Sequence, residues 1–136
     1  MTDKELVELA FKALETAYTP YSGYKVGTAL LTKSGKVYLG CNIENASYSP
    51  TVCAERTAFF KAVSEGEKEF SMIAVVGGKN GNCETFFMPC GVCRQVMAEF
   101  CSSDFKVIIG KSNGEIKSFT LGEILPFSFG PIDITI

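Results

Sequence analysis

The 136-residue sequence contains no histidine. Imidazole is the commonest metal ligand and the side chain that most readily titrates near neutral pH. A transition metal in this chain would therefore be held by cysteine and carboxylate, and a general acid or base falls to Asp or Glu. A basic excess is also missing: 13 Lys and Arg stand against 15 Asp and Glu, for a net charge of −2, and the cations are scattered. That argues against a nucleic-acid partner and for a small, roughly neutral ligand. Nor is there a long apolar run. The N-terminal MTDKELVELAFKALE alternates charged and apolar residues, unlike a signal peptide, and no transmembrane segment follows, so the expectation is a cytoplasmic protein with no membrane partner. With no repeat, low-complexity stretch or interdomain linker, residues 1–136 read as a single domain, long enough to bury roughly two-thirds of its unfolded surface.

Six cysteines are present. In a chain with no sign of export they point to reduced thiols, and so to metal binding or catalysis rather than a disulfide framework. Thr2 and Glu5 read as a capping box opening an amphipathic helix that ends near Tyr18, before Pro20. The loop TPYSGY leads to a strand from Val26 to Thr32, a turn at Ser34-Gly35, and a return strand from Val37 to Ile43. Polar residues gather at the end of that strand, in Asn42-Ile43-Glu44-Asn45. A helix follows from the CAERTA segment to a stop at Gly66. Met72 to Val76, bounded by Gly77-Gly78, reads as a buried strand, and Gly91 to Phe100 as a helix with Pro89 at its start. Phe105 to Ile109 and Glu115 to Phe119 form a second hairpin about Ser112-Asn113-Gly114, and Thr120 with Glu123 caps a short last helix. This order predicts an α/β fold: a three-layer α-β-α sandwich with a mixed five-stranded sheet. The apolar tail PFSFGPIDITI should pack on its own core or on another subunit.

Chemistry concentrates in Cys53-Ala54-Glu55-Arg56 and in Pro89-Cys90-Gly91-Val92-Cys93-Arg94. Cys90 and Cys93, three apart in a first turn, share a helical face and could grip one ion. A helix N-terminus favours the thiolates that bind metal. Cys53 would add a third ligand from another helix start, leaving the fourth position open as catalytic zinc requires. A C-x-x-C pair by itself equally fits a redox couple or a closed four-thiolate site, for which Cys41, Cys83 or Cys101 could supply the fourth sulfur. Cys41 and Cys101 lie in apolar surroundings and read better as buried small hydrophobes. Glu55 favours catalysis: with Cys53 at the very start of its helix, Glu55 can reach across the open coordination position. Three thiolates leave a zinc site negatively charged, so Arg56 is a candidate for offsetting that charge, and Arg94 reads either as a second such cation or as a surface arginine.

At these residues the chain resembles the cytidine deaminases of the small, homotetrameric type. The zinc-deaminase pattern H-x-E…P-C-x-x-C, with Cys able to replace His, here reads CAE…PCGVC. The likeness extends through PYSGYKVG, GCNIENASYS, KAVSEG and LPFSFGP. It implies a single zinc ion held by Cys53, Cys90 and Cys93, with Glu55 as the proton shuttle. It also implies a nucleoside substrate, cytidine or deoxycytidine, converted to uridine or deoxyuridine with release of ammonia in pyrimidine salvage. Asn42 and Glu44 match the ribose-binding pair, and Tyr24 and Ala54 fall at substrate-binding positions. Tyr24 stands where Phe is usual, and Met88 replaces a small polar residue. Ala46, Tyr48 and Phe129 match positions contributed by a neighbouring subunit. Two other readings remain: an aminohydrolase acting on a cytosine-containing compound such as blasticidin S, and a non-catalytic zinc-stabilised module with a fourth thiolate.

Overall fold

Leu6, Val7, Ala10 and Leu14 recur at the spacing that lines one helical face, and all are buried along α1 (Asp3–Leu14). Thr2 and Glu5 close the expected capping box at its start. A computed structural model of the chain describes residues 1–134. After α1 come β1 (Tyr24–Thr32), β2 (Val37–Cys41), α2 (Ala54–Ser64), β3 (Phe70–Lys79), α3 (Gly91–Phe100), β4 (Lys106–Gly110), β5 (Ile116–Thr120) and α4 (Leu121–Ile124), then a short 3-10 turn at Pro131–Asp133. The strands form one sheet in the order β2-β1-β3-β4-β5. β3 and β4 are parallel and the other neighbours antiparallel, so the sheet is mixed, as expected.

Alternation along the strands divides the core into two layers. Ala29, Ala74, Val76 and Ile108 face α1. Val26, Leu30, Ile73, Val75, Val107 and Ile109 face the opposite way, onto Ala58 and Phe59 of α2 and Met97 of α3. This is the α-β-α sandwich. The position of α2 is fixed by Gly40 on β2, where a Cβ would lie 2.3 Å from the Ala54 carbonyl oxygen. The bare backbone lets the first turn of α2 rest directly on the sheet and so sets the height of Cys53 and Glu55.

Several boundaries differ from the sequence expectation. α1 stops at Leu14 rather than near Tyr18, because Tyr18 joins a bridge to Ile43: its N–H donates to the Asn42 carbonyl, and its own carbonyl accepts from Glu44 N. β2 ends at Cys41, and Ile43 instead bridges Tyr18 and Val52. β3 runs on to Lys79, with Gly77 and Gly78 inside the strand, paired to Val26 and Lys25 of β1. Those glycines mark close approaches of other chain segments rather than a strand end. The tail does not pack on its own core: Phe127 is fully exposed and Ile132 is 86 % exposed. Its last two residues, 135 and 136, lie outside the described part. Among the described residues no helix is long and apolar enough to cross a membrane.

Candidate metal centre and active site

The metal-site candidates converge because two helices begin at one place. Cys53 is the N-cap of α2 and Cys90 the N-cap of α3, both with extended backbone and neither side chain spent on capping. Cys93 follows in the first turn of α3. The Ile43–Val52 bridge draws the chain before α2 beside the end of β2. The three sulfurs all lie within 4.8 Å of one another, with Cys53 and Cys90 3.7 Å apart and Cys90 and Cys93 3.5 Å apart. A Zn–S bond of about 2.3 Å in tetrahedral geometry separates neighbouring sulfurs by roughly 3.8 Å. The cluster therefore fits zinc in donor type and in spacing. Among the described residues it comprises these three thiols alone; Cys41, Cys83 and Cys101 are not part of it. The closed four-thiolate site is thus not formed.

Arg56 lies against the thiols. Its terminal nitrogen donates to Cys53 Sγ at 3.4 Å, while its Nε is buried without a partner. A hydrogen bond from Cys93, aided by Arg56, holds the Cys53 thiol down to about 5. Cys93 is pushed the other way, by its hydrogen bond to Cys53 and by burial. Arg94 does something else: its Nε donates to the Pro89 carbonyl at 2.7 Å and a terminal nitrogen to the Ile124 carbonyl at 2.6 Å. It clamps the loop before α3 to the end of α4 and does not touch the thiols.

Glu55 is 1 % exposed, and its Oε1 has no hydrogen-bond partner. Burial pushes its carboxyl up to about 7, partly opposed by its own backbone N–H, with the Cys53 thiolate adding to the rise. A carboxyl poised there can take up or give a proton at neutral pH.

A cavity of about 220 Å³ brings Tyr24, Asn42, Glu44 and Glu55 together with Cys53 and Cys90. Asn42 spans the base of this cavity: its Oδ1 accepts from Val26 N at 2.9 Å and its Nδ2 donates to the Tyr24 carbonyl at 2.8 Å. One lone pair and one N–H of the amide remain for a ligand. Glu44 accepts from the backbone N–H groups of Tyr21 and Ser22 at 3.0 and 3.1 Å, and from the Ser22 hydroxyl. The Ser22 hydrogen bonds pull its pKa down, so it stands as a carboxylate. Ala54, the first residue of α2, is fully buried and lines neither this cavity nor the next. An adjoining cavity of about 330 Å³ carries Tyr21, Ser22, Glu44, Asn45, Tyr48 and Thr51. Tyr48 is 82 % exposed, Ala46 is exposed, and Phe129, 57 % exposed, lines neither cavity; its carbonyl accepts from Gln95. Sequence reasoning did not single out Ser22, Thr51 or Phe87, which also line these cavities. Ser22 lies within the PYSGYKVG segment and Phe87 just before Met88-Pro89-Cys90, the only signals they offered; Thr51 offered none.

Comparison with known proteins agrees with this geometry. The family model "Cytidine and deoxycytidylate deaminase zinc-binding region" matches residues 1–110. A cytidine deaminase of Sporosarcina psychrophila is 47 % identical over 99 % of this chain and 96 % of its own length. One from Halalkalibacterium halodurans is 49 % identical over 98 % of each. The crystal structure of a cytidine deaminase from Burkholderia pseudomallei superposes with a TM-score of 0.86 at 47 % identity, covering 95 % of this chain and all of that one. Zinc is accordingly the ion that suits the three-thiol cluster. By motif, by sequence and by fold, the chain belongs to the cytidine and deoxycytidylate deaminase family of zinc-binding hydrolases.

Proposed function

We propose that this chain, acting as one catalytic domain over residues 1–136, hydrolyses cytidine and deoxycytidine to uridine and deoxyuridine with release of ammonia, serving pyrimidine salvage in the cytoplasm. The observation that carries this reading is a buried, unpartnered Glu55 carboxyl in the same cavity as thiols of a three-sulfur cluster and two polar groups suited to a sugar. Held by Cys53, Cys90 and Cys93, zinc would acidify water and so supply a nucleophile at neutral pH. Glu55 takes the proton that the water gives up and passes it to N3 of the pyrimidine. Glu55 then takes the second proton, from the hydroxyl now on C4, and delivers it to the exocyclic nitrogen, which leaves as ammonia while the water oxygen stays on C4 as the carbonyl. Each transfer suits a carboxyl poised near 7. Asn42 and Glu44 bind the sugar hydroxyls, the ring of Tyr24 offers its face to the base, and Arg56 offsets the thiolate charge.

A homotetramer fits the exposed apolar side chains. Tyr48, Phe127, Phe129 and Ile132 face solvent in the isolated chain, and packing them against a neighbour would bring Ala46, Tyr48 and Phe129 to another subunit's site. Sedimentation tests this, and an active monomer would contradict it.

The loss of cytidine absorbance and the release of ammonia, with and without a strong zinc chelator, test the activity. Glu55→Gln should keep zinc and fold yet lose turnover by several orders of magnitude. Turnover like that of the wild type in this variant would sink the assignment. Blasticidin S and CMP belong in the same assay, since a preference for either would replace the nucleoside reading.

A further inference from the structure

We infer that Phe87, seated on Gly77, is a specificity-determining residue that limits the size of the substituent a cytosine ring can carry at C5. The inference rests on the deaminase reading above and goes beyond it.

Phe87 is half-buried and lines the cavity that holds Glu55 and Tyr24. Its ring lies on bare backbone: a Cβ added at Gly77 would meet Phe87 Cγ, Cδ2 and Cδ1 at 2.8, 3.0 and 3.2 Å. No side chain fits between the ring and β3 there. Its other neighbour is Tyr24, with ring centroids 5.8 Å apart and planes tilted by 37°. The two rings form an aromatic corner, and Gly77 sets how deeply that corner is recessed.

The sheet order decides which edge of a pyrimidine meets it. Glu55 belongs to α2, which packs on β2 and β1, whereas Phe87 rests on β3, the neighbour of β1 on the far side. Glu55 and Phe87 thus approach the cavity from different sides. In cytosine, N3 and C5 flank C4 on opposite sides. A ring that presents N3 to Glu55 turns its C5 edge toward Phe87. An added group at C5 therefore competes with the Phe87 ring for space in a cavity of only about 220 Å³.

Two kinds of substitution shift this wall in opposite directions. Phe87→Ala and Phe87→Val recess it, while Gly77→Ala pushes the ring off β3 into the cavity. The readout is kcat/KM for 5-bromocytidine divided by kcat/KM for cytidine, compared with the same ratio for the wild type, so that the electronic effect of bromine cancels. A pocket contact of about one methylene is worth on the order of 10- to 200-fold in such a ratio. Phe87→Ala should raise it by at least about fivefold, Phe87→Val should raise it by less, and Gly77→Ala should lower it. If Phe87→Ala does not fold, the other two variants decide. A loss of both activities in parallel, a rise below about fivefold in Phe87→Ala, no rise in Phe87→Val, or no fall in Gly77→Ala overturns the proposal. Wild-type protein that leaves cytidine unchanged overturns the deaminase reading itself, and this inference with it.

Discussion

Arg56 stands three residues after Cys53 in the first turn of α2, and its guanidinium donates to the Cys53 sulfur at 3.4 Å. Three thiolates would leave a zinc site with a net negative charge, which a cation at this position would offset. Arg56→Gln keeps a donor of similar reach but removes the charge. Groups of this kind beside a metal ligand are worth about 10- to 100-fold in metal affinity or activity. Zinc retention measured by chelator competition should drop by that factor, and Arg56→Lys should fall in between, because an ammonium keeps the charge without the planar fork. Equal retention in all three proteins would mean that the contact carries no charge compensation.

Glu55 gives the metal-free protein a pH signature. Its carboxyl sits at about 7 in the folded chain, above its ordinary value, chiefly through burial. A raised carboxyl favours the folded state while it is protonated. Its contribution is fully present below the unfolded pKa of about 4.3 and is lost as pH rises through 7. The size follows from the shift, about 3 kcal/mol across that interval. Cys53 pulls the opposite way between about 5 and its usual range, but it is common to both partners in a comparison with Glu55→Gln. Denaturant unfolding of the two metal-free proteins should therefore show the wild type losing about 3 kcal/mol relative to Glu55→Gln as pH rises from 4 to 8. Parallel profiles would contradict the burial of an ionisable group at this position.

The thiols should separate by reactivity once zinc is removed. Cys53 is held down to about 5, whereas burial pushes Cys101 up to about 12 and also raises Cys83. Since the thiolate is the nucleophile, iodoacetamide at pH 7 should modify Cys53 ahead of Cys83 and Cys101 in the metal-free chain, and zinc should protect it. Peptide mapping by mass spectrometry reads the order. Fast labelling of Cys101 in the folded, zinc-loaded protein would contradict its placement against the core.

The sequence made Cys53, Glu55, Cys90 and Cys93 legible for a chemical reason: without histidine only these residue types could perform the task, and local helix starts fix their positions. The elements themselves were legible from apolar runs, helical spacing, turn residues and capping boxes, whereas the division of the core into two layers came from the structure. What escaped depends on contacts between distant segments. Arg56 and Arg94 each follow a ligand closely, yet one points at sulfur and the other clamps two carbonyls, and spacing does not separate these fates. Gly77-Gly78 resembles a strand end by composition, but β3 continues through it because Phe87 and the Asn82 carbonyl lie against bare backbone. Phe87 adjoins Met88-Pro89-Cys90 in sequence, but only the β3 position on which its ring lands places it in the cavity.

Asn42 supports a prediction that separates holding the site from touching the ligand. Its amide ties the end of β2 to the start of β1 through Val26 N and the Tyr24 carbonyl, and in doing so fixes the backbone that carries Tyr24. Asn42→Ala removes both hydrogen bonds: the exposed Tyr24 carbonyl can turn to water, but the part-buried Val26 N–H is left in want of a partner, at a cost of about 1–3 kcal/mol. It should also raise KM for cytidine if, as proposed, this amide binds the sugar. Asn42→Asp keeps the acceptor for Val26 N but places a carboxylate oxygen against the Tyr24 carbonyl, where a donor is needed. A carboxylate is acceptor-only, so two oxygens would face each other. Asn42→Asp should therefore destabilise the fold at least as much as Asn42→Ala at pH 7 and recover part of the loss at pH 4, where protonation restores a donor. Urea unfolding at both pH values is the check: an Asn42→Asp variant as stable as the wild type at pH 7 would show that the amide does not hold the strand ends together.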